Sequence, residues 1–593
     1  MTKPATNLSD NPFLVDSQFP QFGSFHVEHI EPAVSQLLKD NRKVIEDLVA
    51  DNSQPTWQNF IEPLEFIDNR FEKVWGPVGH LDATMNNDEW HEAYTNCLEQ
   101  VTQYYTETGQ NAGLYQKFNK LAESDEYETY NLAQQKVIEN ALRNFRLSGI
   151  ALSKNKQAIY KELKQQLSQN SSQFGNNVLK ATQAWYKHIK DESELAGLPE
   201  SAMGLLQQLA GQKSLEGWCV TLDFPSYLAV LTHADNRELR EEVYKAFSTR
   251  ASEQSNHAEF DNSELIESIR ADRHKLASLL GCKDYAEYSL ATKMAESTDQ
   301  VLGFLRDLAV KSKPQAEKEL STLKAFAKST LGIDDFQPWD VTYASEKLKN
   351  ETLSLSQEKL RPYFPVETVL KGLFLITKTL FNIKITVKEG VETWHKDVRF
   401  FELTDEANQV VGHFYLDLYA RENKRGGAWM DSAITRWKHP QGQLQTPVTY
   451  LVCNFTPPIG DKEACLTHDE VTTLFHEFGH GIHHLFTKME QLDVSGISGV
   501  PWDAVELPSQ FMENFCWERE GLNFISSHIE TGETLPDDMF EALQKGRGFQ
   551  YAMMMLRQIE VAMVYFELHT FYTPVCSEEV LDIAHRNRKQ VSV

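Results

Sequence analysis

The chain has 593 residues, of which 41% are hydrophobic, 11% aromatic and 24% charged, and its 58 lysines and arginines face 85 aspartates and glutamates for a formal net charge of −27. That charge repels nucleic acid and anionic lipid unless a basic patch is segregated, and no such patch is visible; no apolar run is long enough to cross a bilayer. Neither a nucleic-acid partner nor a membrane is expected. Seven scattered cysteines (Cys97, Cys219, Cys282, Cys453, Cys465, Cys516 and Cys576) form no CxxC pair. Their pattern argues against a disulfide framework or a structural zinc knuckle and fits a reducing compartment. The amino-terminal MTKPATNLSDNPFLVD lacks the basic start and apolar core of a secretory signal and is too acidic for a transit peptide, so a cytoplasmic location is expected.

From about residue 30 to 335 the chain is dominated by segments such as EPAVSQLLKDNRKVIEDLVA and ETYNLAQQKVIENALRNFRLSGIAL, with apolar residues three and four apart. These predict amphipathic helices packed on one another. LSGI near 148, AGLPES at 196 to 201 and QPWD at 337 to 340 supply the Gly and Pro breaks. Residues 1–335 read as a largely helical lobe and 336–593 as a second, catalytic lobe. Between about 394 and 456 the runs VRFFELTD, VVGHFYLDLYA and PVTYLVCNF are aromatic and β-branched and separated by turn residues, which predicts a small antiparallel sheet. A helix over about 467–487 follows, and a further one is expected from near Asp503, in PWDAVELPSQFMENFCWERE.

The helix over 467–487 contains HEFGHGIHH. Successive side chains on a helix turn by about 100°, so His476 and His480 lie only about 40° apart and can meet one ion. Glu477 is poorly placed as a third ligand there but well placed to reach a water on the metal, as expected for the general base of an HExxH site. The competing pair His480 and His484 has Gly481, not an acid, beside it; His483 and His484 read as neighbours that pack or hydrogen-bond. A catalytic zinc usually takes three protein ligands. Of Glu506, Glu513, Glu518 and Glu520, the first follows the Gly-rich SGISGVPWD turn and is the candidate. Spacing alone equally allows Glu506 to be a helix-start carboxylate favoured by the macrodipole by about 0.3–1 kcal/mol. Asp469 and Glu513 each lie seven residues from a candidate ligand and could orient an imidazole N–H or simply face solvent. YLDLYARENKRGG could offer cations to a substrate or be a strand-to-turn connection.

HEFGHGIHH, SGISGVPWDAVELPSQFMENF, FYLDLYARENKRGGAWM, YLVCNFTPP, SLATKMA, YKAFSTRAS and LRPYFP together resemble the thimet oligopeptidase family along nearly the whole chain. The resemblance implies a mainly α, two-lobed helical ellipsoid split by a deep channel, with a small antiparallel sheet next to the zinc-binding helix. It also implies one zinc ion on His476, His480 and Glu506, Glu477 as base, and short peptides as substrates of a monomeric metalloendopeptidase. The strand TYLVCNF would then run along the cleft, where a peptide could add as an extra strand. Members of the family continue past the position of Val593 into a segment rich in His, Gly and Tyr that contacts the substrate carbonyl. This chain ends at HRNRKQVSV, so a truncated oligopeptidase is expected, the alternative being a zinc- and peptide-binding chain with little or no cleavage.

Overall fold

A computed structural model describes residues 8–460, 462–574 and 579–593; Cys576 lies outside the described residues. The three- and four-residue spacing of the first half folds as helices whose ends carry the signals that spacing needs. In α1 (Val27–Ala50) the stripe Ile30, Val34, Leu37, Leu38 and Ile45 is buried. Helix α2 (Glu62–Thr84) packs beside it, and α3 (Asp88–Gly109) opens on Asn87, whose side chain accepts from the Trp90 N–H at 2.8 Å. The 34-residue α4 (Thr298–Leu331) is capped by Ser297 and stopped by Gly332 at φ +69. The break expected at QPWD is a start as well, since Pro338 occupies the first turn of the next helix.

The sheet has five strands: β1 (Lys384–Val387), β2 (Arg399–Thr404), β3 (Val410–Tyr419), β4 (Trp429–Ile434) and β5 (Val448–Phe455), in the order β1-β2-β3-β5-β4. It begins earlier than residue 394 and is mixed, which corrects the antiparallel expectation. β3 and β5 run parallel, with Tyr415 opposite Tyr450, while the other pairings are antiparallel. After β3 the chain leaves one strand's width empty and lays down β4. It then reverses through the ribbon Trp437–Lys438 and Leu444–Gln445, and β5 returns into the gap. Alternation of apolar residues specifies faces, not neighbours, so this order has no local signal.

Both faces of the sheet are covered, which explains why its strands read as continuous apolar runs. Phe400, Tyr415, Val448, Tyr450 and Val452 join one core with the amino-terminal helices, including Phe22, Val78 and Leu81. Their neighbours Phe401, Phe414, Leu416, Leu451 and Cys453 join a second core on the other face, with α5 (Val366–Phe381) and α6 (His468–Leu485).

The turn between β3 and β4 is held by buried charge. Asp417 sits at the end of β3 and is 1% exposed; it takes both arms of Arg421, at 2.7 and 2.8 Å, and the Lys424 ammonium at 2.8 Å. Lys424 also donates to the carbonyls of Tyr419 at 2.8 Å and Cys453 at 2.6 Å, and burial pulls its pKa down to about 8. The cations of YLDLYARENKRGG are thus partly consumed inside: Arg421 and Lys424 serve Asp417, and Arg425 lies over the Trp429 ring at 4.2 Å. Lys424→Met removes the donor to two buried carbonyls and one carboxylate. It is expected to cost about 3 kcal/mol, read as a lower urea midpoint in a dichroism titration.

Candidate metal centre

Helix α6 begins with a reciprocal cap, in which the Thr467 hydroxyl accepts from the Glu470 N–H at 3.1 Å and the Glu470 carboxylate accepts from the Thr467 N–H at 2.8 Å. This fixes the start of the helix. Its apolar face, with Val471, Leu474, Phe475, Phe478 and Ile482, is buried on the sheet core, so His476 and His480 turn outward, with side chains 25% and 13% exposed. The helix therefore covers what the sequence predicted to within two residues at each end.

The chain then runs through a long connection to a short 3-10 turn, Trp502–Ala504, and into α7 (Leu507–Glu513). The helix expected from Asp503 thus starts later, with Pro508 in its first turn and Glu506 immediately before it. Helix α7 crosses α6 at Gly479. A Cβ on Gly479 would stand 2.5 Å from the Ser509 Cα and 2.6 Å from the Pro508 carbonyl oxygen, so the residue between Phe478 and His480 has to be glycine for the two backbones to meet.

That contact brings one carboxylate to two imidazoles. Glu506 Oε2 lies 3.1 Å from His476 Nε2 and 3.1 Å from His480 Nε2, and the three residues offer donor atoms within 4.8 Å of one another. Ligands about 2.0–2.1 Å from a tetrahedral ion stand roughly 3.3 Å apart, so the two separations from Glu506 are those of a metal site. The Ser509 hydroxyl donates to Glu506 Oε2 at 2.8 Å and holds that carboxylate in place. Glu513, on the far end of α7, accepts from His476 Nδ1 at 2.6 Å. This bond puts the proton on Nδ1 and leaves the Nε2 lone pair facing the cluster. The same bond, aided by the neighbouring carboxylates, raises the pKa of His476, whereas burial lowers that of His480.

Glu477 lies beneath the pair and is 6% exposed. Burial lifts its carboxyl to about 7, with the adjacent His476 and the backbone N–H of Met430 on β4 pulling the other way. The remaining sequence candidates separate cleanly. Glu513 is the orienting partner, while Asp469 makes no bond to His476 and lines a cavity of about 850 Å³ that also reaches Thr473, Asn454 and Phe455. His484 is fully buried; its Nε2 faces the Ile434 carbonyl at 3.1 Å and its Nδ1 accepts from the Ile497 N–H at 3.4 Å, so it pins the connection after α6 to β4. His483 does not join the cluster. The strand TYLVCNF is β5, and both its edges are already paired, so it cannot take an added strand; the outer strand beside the site is β4, which among the described residues has no partner strand on its far side. Sequence reading did not find Ser509, three residues after Glu506, or the packing role of Gly479.

An HExxH helix completed by a carboxylate from the following helix is an arrangement of metallopeptidases. Residues 230–592 match Peptidase family M3, and residues 34–157 match the Neurolysin/Thimet oligopeptidase N-terminal domain. The chain belongs to peptidase family M3 and is a peptidase. It is 50% identical to oligopeptidase A of Escherichia coli (strain K12), over 98% of this chain and 86% of that protein. It is 51% identical to oligopeptidase A of Haemophilus influenzae, with the same coverage of both chains. Dipeptidyl carboxypeptidase of Escherichia coli is 28% identical over 97% of this chain and 84% of its own. A solved structure of PZ peptidase A with an inhibitor has a TM-score of 0.52 at 12% identity, covering 96% of this chain and 81% of that one, a likeness of fold alone.

Gly479→Ala forces α7 off α6. Overpacking of this kind costs about 1–3 kcal/mol, and the displacement of Glu506 is expected to weaken divalent-metal uptake at least tenfold in equilibrium dialysis. Unchanged uptake would show that the helix contact does not set the site.

Proposed function

We propose that the chain is a zinc-dependent metalloendopeptidase that hydrolyses short oligopeptides, with His476, His480 and Glu506 as ligands of one zinc ion and Glu477 as general base. The observation that carries this reading is the junction of the His-His-Glu cluster with a buried, separately held carboxylate next to a free strand edge. Two imidazoles and a carboxylate are a donor set suited to catalytic zinc, with room left for a fourth position. When bound, zinc would supply a Lewis acid for the scissile carbonyl and make water a better acid.

The chain's own residues would do the rest. Glu513 keeps His476 in the tautomer that presents Nε2, and Ser509 keeps Glu506 turned toward both histidines. Glu477 takes a proton from the attacking water, whose oxygen adds to the carbonyl carbon, and returns that proton to the amine as the C–N bond breaks. Its raised pKa suits a group that must both accept and donate near neutral pH. A peptide entering as an extra strand on β4 would lay its carbonyl across the cluster. The name oligopeptidase A carried by the relatives at about half identity supports short peptides as substrates. Among the described residues no helix is long and apolar enough to cross a membrane, and a cytoplasmic monomer without a nucleic-acid partner is part of the same reading.

Glu477→Gln is expected to retain stoichiometric zinc by metal analysis while losing at least about 10²-fold in kcat on a quenched fluorescent peptide, the range for loss of a general base. Cleavage at the wild-type rate would remove Glu477 from the role; absence of zinc from the wild-type protein would remove the metal.

A further inference from the structure

Glu506 reaches the cluster at the end of a connection that begins at Phe486 and contains no α-helix before Leu507. A carboxylate carried on such a segment is only as well placed as the anchors of the segment. Beyond the Glu490 carbonyl, which accepts from the Lys438 N–H at 3.0 Å, the first anchor is Glu65 of α2, which accepts from the Leu492 N–H at 2.9 Å. The second is His484, at Ile497. From Ser498 to Ala504 the backbone bonds among the described residues are local turns: Ser498 to Ser495, Val500 to Ile497, and Ala504 to Pro501.

One side chain in that stretch reaches another part of the chain. Asp503 accepts from the Met294 N–H at 3.0 and 2.9 Å, one to each carboxylate oxygen, and from the Ala295 N–H at 2.9 Å. These amides belong to the link between the helix Tyr285–Leu290 and α4, more than 200 residues away in sequence. The bonds hold its carboxyl below the usual range. The helix and the link both border a second cavity of about 800 Å³, lined by Tyr285 and Tyr288 of the helix, Thr292 of the link and Asp493 from the connection after α6. Asp503 therefore ties the segment that delivers Glu506 to a helical element bordering a cavity, three residues before Glu506 itself.

We infer that Asp503 is a positioning residue for Glu506: its bonds to the Met294 and Ala295 amides fix the last free stretch before the carboxylate and couple the placement of Glu506 to that of the Tyr285–Ser297 segment. The inference rests on the zinc reading of the site for its consequence, but the tie itself is separable from the metal. A surface carboxylate that only caps a loop would leave Glu506 undisturbed when removed. A positioning residue would not.

The experiment compares wild type with Asp503→Ala and with Asp503→Asn, which keeps one accepting oxygen. In the metal-free proteins, amide hydrogen exchange followed by mass spectrometry is expected to speed up in Asp503→Ala in two segments, 291–297 and 505–512. In the zinc-loaded proteins, transfer of zinc to a chromogenic chelator is expected to be about tenfold faster for Asp503→Ala, the low end for losing a group that orients a metal ligand, with Asp503→Asn between the two. Faster exchange confined to 291–297, with zinc transfer at the wild-type rate, would overturn the inference. If the wild-type protein takes up no zinc, the zinc reading fails, and exchange at 505–512 still decides whether Asp503 holds the segment.

Discussion

Helices His468–Leu485 and Leu507–Glu513 meet at Gly479, where backbone touches backbone and no side chain stands between. The distance between the two helices is set there, and nearly every property of the site follows from it. With the helices this close, Glu506 at the start of α7 and Glu513 at its end straddle His476, one at Nε2 and the other at Nδ1. A single imidazole is thereby gripped from both sides by one short helix. Any side chain at position 479 would move both carboxylates together, because interiors this tightly packed do not absorb an added methyl group without displacing backbone.

The platform beneath this contact is a sheet buried on both faces, and such a sheet needs its ends organised without water. The Asp417, Arg421 and Lys424 cluster does this at the point where β3 hands over to β4. Removing these charges from water is expensive, and the cost is offset only because each is bonded several times over. What the cluster secures is direction: it turns the chain out of the sheet so that β4 comes down as the free edge next to Glu477. The Asn454 side chain, donating to the carbonyls of Arg425 at 2.9 Å and Gly427 at 2.6 Å, holds the same turn from the neighbouring strand. Arg425 and its neighbours are therefore part of the mounting of the edge strand.

How much of this was legible in the sequence depends on how local each feature is. Helix α6 was readable because Thr467, Glu470 and the apolar spacing all act within one or two turns, and the placement of His476, Glu477 and His480 on it is a matter of helical period. Glu506 was not separable from a helix-start carboxylate by spacing, since both readings put an acid at the same place; the fold sets it at a helix start and beside both histidines. Strand order escaped because β5 is inserted between two strands that precede it, and a period of two does not encode neighbours. The sequence left Lys424 either as a cation offered to a substrate or as part of a strand-to-turn connection, and only the partners Asp417, Tyr419 and Cys453, brought together by the sheet, explain its burial. His484, two turns from His476, was readable as a neighbour that packs or hydrogen-bonds, but its partners, Ile434 and Ile497, lie 50 and 13 residues away and no local pattern names them.

The two acids nearest the histidines, Glu477 and Glu506, illustrate how surroundings divide labour between identical groups. Glu506 comes in from the solvent side with its side chain 52% exposed and its oxygen bonded by Ser509, and it closes on both imidazoles at 3.1 Å. Glu477 is sequestered under the helix, where desolvation favours its neutral form and the Met430 N–H and the adjacent His476 favour the charged one. These opposing influences leave it near the middle of the physiological range, where either protonation state is accessible. A cation held by the cluster would add to the second set and draw a proton off Glu477 as the site fills. In the proposed mechanism, the position least able to reach the cluster as a ligand would thus be the one whose proton responds to occupancy of the cluster, as a base beside a metal site requires.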